Sequence, residues 1–161
     1  MSTTSRERNA YQISRRYARE CVLRALFQME FHDIEPAASL DYALTVTDDS
    51  ERRLSESDLL FTNQLLAGVC ERREQIDEIL GSFARDWSLA RIARLERSIL
   101  RMAMYELVWR DEIPPAATLD EAVELTKAYC APEATAFVNG ILGNIHKHLQ
   151  ELKRTEQSES M

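Results

Sequence analysis

The sequence predicts an all-α fold, a compact bundle of about six to seven helices, and three observations predict it. Apolar residues recur at intervals of three and four, the 3.6-residue period of a helix, and no stretch alternates as a half-buried strand would. The four prolines fall between the periodic stretches, where they break helices rather than interrupt them. Hydrophobic residues make up 45% of the 161-residue chain, enough to fill a real core at that length without disulfide staples.

Each element follows from local pattern. A flexible segment is expected over residues 1–13. The first helix is then expected from Ser14, a good N-cap, to about His32, with Ala18, Cys21, Val22, Ala25, Leu26 and Met29 on one face. A short, weakly patterned helix follows Pro36, around Leu40 to Val46, and the polar stretch Thr47–Ser57 reads as a loop. One long helix is expected from Glu56 to Phe83, its core face formed by Phe61, Leu65, Val69, Ile76 and Leu80. Gly68 and Gly81 on it mark close contacts or ends.

The next helix spans Leu89 to Arg110. Its apolar face, Leu95, Ile99, Leu100, Met102, Ala103, Met104, Leu107 and Val108, is wide enough for a central position. Ile113-Pro114-Pro115 breaks it. Thr118-Leu119-Asp120-Glu121 reads as a capping box opening a helix to Tyr129. Pro132 opens the last helix, where its missing N–H costs little. Val138, Ile141, Leu142, Ile145, Leu149 and Leu152 stripe it, and the polar residues 154–161 are expected to be a disordered tail.

Composition excludes several functions. No run of 18 apolar residues occurs, and the polar start lacks the apolar stretch of a secretory signal. Cys21, Cys70 and Cys130 are scattered and odd in number, with no CxxC pair, which fits free thiols in a reducing cytoplasm better than a disulfide or zinc framework. His146 and His148, two apart on a helix, point away from each other and share no metal. Asp48-Asp49-Ser50-Glu51 reads as a solvated acidic loop. No P-loop or GxGxxG is present, and Glu20 and Cys21, being adjacent on a helix, diverge. The expectation is a non-enzyme without cofactor or metal.

The net charge is −7, yet residues 1–24 carry six arginines against Glu7 and Glu20, a local +4 on a body of −11. Arg15, Arg16 and Arg19 then lie near the N-terminal end of the expected first helix, where the dipole disfavours cations by about 0.3–1 kcal/mol each. They span about 100° of the helical wheel, one surface able to meet successive phosphates; a solvated charged face is the alternative. Phe137 lies about 40° outside the apolar stripe of the last helix. It either caps the core sideways or offers a ring to a base, and Tyr129 invites the same two readings. The central helix carries Arg91, Arg94, Arg97, Arg101 and Arg110, broken by Glu96 and Glu106, a solvated face or an interface.

Three blocks make the chain resemble the NusB family: SRRYARECVLRALFQME at 14–30, LERSILRMAMYEL at 95–107, and EAVELTKAYCAPEATAFVNGILGNI at 121–145. The resemblance implies two small helical subdomains, here 14–83 and 84–153. It implies a transcription antitermination factor that binds boxA-type single-stranded RNA together with NusE, a small-subunit ribosomal protein. It further implies membership, with other Nus factors, of the RNA polymerase elongation complex, notably on ribosomal RNA operons. No membrane partner is implied, and a homodimer is compatible. By position, Arg15, Arg16, Arg19, Tyr129, Glu133 and Phe137 match the family's RNA-contacting regions. Glu96 falls on its NusE contact, with Arg101, Tyr105 and Glu106 on the same helix. Tyr17, Cys130, Ala136 and Gly143 depart from common family residues: Tyr17 from a basic residue, Cys130 from a helix-ending glycine. A helical adaptor that binds protein without RNA is the alternative function.

Overall fold

The computed structural model describes residues 4–46, 54–84 and 89–159. Every regular element among them is helical: α1 (Ser5–Met29), α2 (Pro36–Val46), α3 (Glu56–Glu71), α4 (Arg73–Phe83), α5 (Arg94–Trp109), α6 (Pro115–Tyr129), α7 (Pro132–Lys147) and α8 (Leu149–Glu159), with a 3-10 turn at Leu89–Arg91 before α5. The all-α expectation holds, but two of the expected helices are each split. Arg72 (φ −101°, ψ 10°) interrupts the expected 56–83 helix, and His148 (φ −105°, ψ 11°) interrupts the last one. One residue in the bridge region breaks the helix without shifting the apolar period on either side, so periodicity alone reads straight through.

Chain ends differ as well. Helix α1 begins at Ser5 and not at Ser14, because Thr4 caps it. The Thr4 hydroxyl accepts from the Glu7 N–H at 3.2 Å, and the Glu7 carboxylate accepts from the Thr4 N–H at 2.8 Å. This reciprocal pair satisfies two of the helix's unpaired donors. Residues 5–13, expected as a flexible lead-in, are its first turns. At the other end, residues 154–159 belong to α8, which Leu149 (8% exposed) and a Lys153–Asp111 ion pair at 2.7 Å hold in place. Most of the expected 47–57 loop, with its acidic run at 48–51, lies outside the described residues.

The chain forms two compact units that divide at Ala67/Gly68, within α3, where the expected division was 83/84. The reason is that α4 packs against α5 and α7. In the first unit α1 packs on α2, with Ala18, Cys21, Val22, Ala25, Leu40 and Ala43 buried. Ser39, fully buried, donates its hydroxyl to the Ala25 carbonyl at 2.8 Å, which removes the cost of placing a hydroxyl in that interface. In the second unit α5 is central and touches α4, α6, α7 and α8. Ile99, Leu100, Met102, Ala103, Met104, Leu107 and Val108 on it are all buried, the wide face read from the sequence.

The expected capping box at Thr118 is a correction. Helix α6 starts at Pro115, so Thr118 lies inside its first turns, 2% exposed, and donates to the Glu106 carboxylate at 3.1 Å. Pro115 and Pro132 each open a helix at a position that needs no N–H.

Candidate nucleic-acid interface

Three arginines were expected to form a basic face on α1, and the structure divides them by surroundings. The Arg15 guanidinium stands 4.3 Å from the Phe61 ring centre and 5.1 Å from that of Tyr11. It donates to Ser57 Oγ at 3.0 Å and pairs with Asp58 at 3.2 Å. Arg19 is 6% exposed, 5.1 Å from the same Phe61 ring. Arg16 is half-buried. Arg15 and Arg19 therefore also hold α1 to α3, through an ion pair and cation–π contact.

Asp58 is the hub of this junction and escaped the sequence reading. It is 3% exposed, in the first turn of α3, where a carboxylate suits the positive end of the helix. Ser14 and Ser55 both donate hydroxyls to it, and the Asp58 N–H donates back to Ser55 Oγ at 3.1 Å. Ser14, expected as a helix cap, is instead this partner. The only local hint was the run Ser55-Glu56-Ser57-Asp58, a helix-opening pattern; nothing in it points to residues 44 positions upstream.

The second unit holds Tyr129, Glu133 and Phe137. Tyr129 ends α6 half-buried, Glu133 stands exposed in the first turn of α7, and Phe137 is half-buried one turn later. The buried face of α7 is Ala134, Val138, Ile141, Leu142 and Ile145, so Phe137 sits at its margin, as the helical wheel required. Cys130 ends α6 with φ −119° and ψ 168°. That is extended backbone, open to any residue, so the departure from glycine costs the helix end nothing.

Of the four partner-binding candidates on α5, two face inward. Arg101 is 6% exposed and clasps Asp77 of α4; Glu106 is 2% exposed and accepts from Thr118. Tyr105 is half-buried, its ring lying against Gly68 and stacked on Trp109 at 6.0 Å. A Cβ at Gly68 would fall on the Tyr105 ring, so the expected close contact at this glycine is real. Glu96 is half-buried in the first turn of α5. Burial, and then the negative charge of Glu96, push the Cys130 thiol above its ordinary range.

Among the described residues no three His, Cys, Asp or Glu side chains come together as a metal site, and no helix is long and apolar enough to cross a membrane.

Comparison with known proteins fits this arrangement. A relative from Bacillus velezensis, a transcription antitermination protein NusB, is 41% identical over 138 residues, covering 86% of this chain and 99% of its own. Its counterpart from Symbiobacterium thermophilum is 40% identical over 136 residues, 83% of this chain and 89% of its own. The solved structure of NusB from T. maritima superposes with a TM-score of 0.74 at 34% identity, over 83% of this chain and 90% of that one. A crystal structure of antitermination factors NusB and NusE with double-stranded RNA shares the fold, with a TM-score of 0.73 at 23% identity over 83% of this chain and 96% of that one. The family model described as NusB family matches residues 16–147, from the arginine-bearing turns of α1 to the end of α7, and this chain belongs to that family.

Proposed function

We propose that this protein is a transcription antitermination factor that binds boxA-type single-stranded RNA together with NusE, the small-subunit ribosomal protein. It joins the RNA polymerase elongation complex with other Nus factors, notably on ribosomal RNA operons. It works in the cytoplasm, as a binding protein without catalysis or cofactor. The observation that carries this reading is the basic face of α1 on an acidic chain. Six arginines stand within residues 1–24 of a protein whose net charge is −7, and a cationic segment of that kind is the electrostatic footprint of a polyanion partner. The relatives' shared name as antitermination proteins and the solved NusB–NusE–RNA complex of a distant neighbour support it. Arg16, with Arg15 and Arg19 at its sides, supplies phosphate contacts; Phe137 and Tyr129 supply rings, and Glu133 a carboxylate for base amino groups. Glu96 is the favoured NusE contact and Tyr105 a second; Arg101 and Glu106 act by shaping the helix that presents them.

A second reading, an adaptor that binds NusE without RNA, draws on the engagement of Arg15 and Arg19 with Asp58 and Phe61 inside the chain. Fluorescence anisotropy of a labelled boxA-type RNA, with and without NusE across a salt series, separates the two. Antitermination requires binding that is sequence-selective, strengthened by NusE and weakened by salt. Absence of RNA binding in the presence of bound NusE leaves the adaptor.

A further inference from the structure

We propose that the first turns of α1, upstream of the part that the family model matches, extend the RNA-binding face through Arg8 and Tyr11. The inference rests on the antitermination reading above and adds two contacts to it. The family match begins at residue 16, but α1 begins at Ser5 and is closed by its own Thr4–Glu7 capping box. At 100° per residue, Arg8, Tyr11, Arg15 and Arg19 fall within about 80° of one another, a single stripe. With a rise of 1.5 Å per residue, it runs for about 16 Å from Arg8 to Arg19.

The chemistry along the stripe changes in order. Arg19 is buried, and Arg15 is held between Phe61 and Tyr11. Tyr11 is 59% exposed and Arg8 is exposed. Tyr11 is thus a large aromatic ring left in water, with a guanidinium 5.1 Å from its centre to orient it. A ring placed beside arginines is a stacking platform for an unpaired base, and Arg8, one turn upstream, reaches the adjoining phosphate. The acids nearby are already engaged. Glu7 is turned back onto the Thr4 N–H, and Asp58 is taken by Arg15, Ser14 and Ser55. The ligand that fits is the single-stranded RNA flanking the element bound by the rest of α1.

The test uses the full chain with NusE and a fluorescein-labelled boxA-type RNA carrying short uridine flanks. Tyr11→Ala is expected to bind about tenfold more weakly. Arg8→Gln is expected to make the salt dependence shallower, by about 0.7 in logarithmic slope for one lost phosphate contact on a single strand. Both side chains are exposed, so circular dichroism should match that of the unsubstituted protein, and Tyr11→Ala should cost no more than about 0.5–1 kcal/mol, that of its contact with Arg15. Unchanged affinity and slope in both variants overturn the extension and leave the proposed function standing. Failure of the unsubstituted protein to bind the RNA overturns both.

Discussion

The Arg101 guanidinium donates two parallel hydrogen bonds to the Asp77 carboxylate, from Nε to Oδ1 at 2.7 Å and from Nη2 to Oδ2 at 3.0 Å. This fork ties α5 to α4 in the second unit, with Arg73 a weaker neighbour of Asp77 at 3.9 Å. Removing the acid takes the fork from a cation whose side chain is 7% exposed. Asp77→Ala should cost about 2–4 kcal/mol in urea denaturation. A cost under about 0.5 kcal/mol would mean that solvent replaces the fork, as at a surface pair.

The same fork changes how the partner-binding residues are to be probed. On the proposed function, an Arg101 or Glu106 substitution would act on NusE binding through the fold, whereas Glu96→Lys reverses a charge at a half-buried position. Glu96→Lys should cost only about 0.3–1 kcal/mol of stability, that of a cation replacing an acid in a helix's first turn, and weaken NusE in a titration. Unaltered NusE affinity removes Glu96 from the interface.

Arg15 and Arg16 are neighbours in sequence with different duties. Arg15 is paired with the buried Asp58, so reversing its charge is more than a surface change. Arg15→Glu sets a carboxylate against a buried aspartate and should cost about 2–3 kcal/mol of stability. Arg16→Glu should cost clearly less while weakening RNA binding. Thermal melts of the two variants beside anisotropy titrations give the comparison, and equal stability losses would refute the division of labour.

Gly68→Ala should displace Tyr105 from its stack on Trp109, because the added methyl falls on the tyrosine ring. Ring displacement in a packed contact costs about 1–3 kcal/mol. A changed near-ultraviolet circular dichroism signal with unchanged helix content is expected. Retention of both signals would show that the ring yields freely.

Glu156 on α8 carries a pH signature. Burial first, then Glu159, push its carboxyl above the ordinary range, with Arg72 opposing. A group raised in the folded state favours folding when protonated, and that contribution is lost as pH rises through the folded value. At neutral pH the ionised form therefore weakens the helix's docking. Glu156→Gln should melt about 1–2 °C higher at pH 7, a gap that closes on acidification below the carboxylate range. A gap that persists in acid would trace the gain to something other than charge.

Local pattern made the helices and the core face of α5 legible, since burial repeats with the helix. What it missed has a common physical origin. The breaks at Arg72 and His148 each lie in one backbone angle and leave the apolar register intact. The Thr4–Glu7 capping box was present in the letters as T-S-R-E, but the largely polar stretch after it, without a helical apolar stripe, hid the helix it opens. Conversely Thr118–Glu121 had the letters of a cap and is helix interior, because Pro115 had already started the turn. At the candidate interface, arginine and aromatic types stood out, but the roles of Arg101, Glu106 and Asp58 depend on partners 12 to 44 residues distant, which no spacing rule encodes.

The extended backbone at Cys130 has a consequence for oxidation. Because the α6 end needs no glycine, the position accepts a side chain, and a side chain leaves the unfolded chain with less freedom to lose than glycine does, worth about 0.4–1 kcal/mol. Here that side chain is a thiol. Burial and the Glu96 charge raise its pKa, which lowers the share of thiolate, the form that oxidants attack. The connection between Tyr129 and Glu133 thus carries a thiol that is less acidic than a free cysteine.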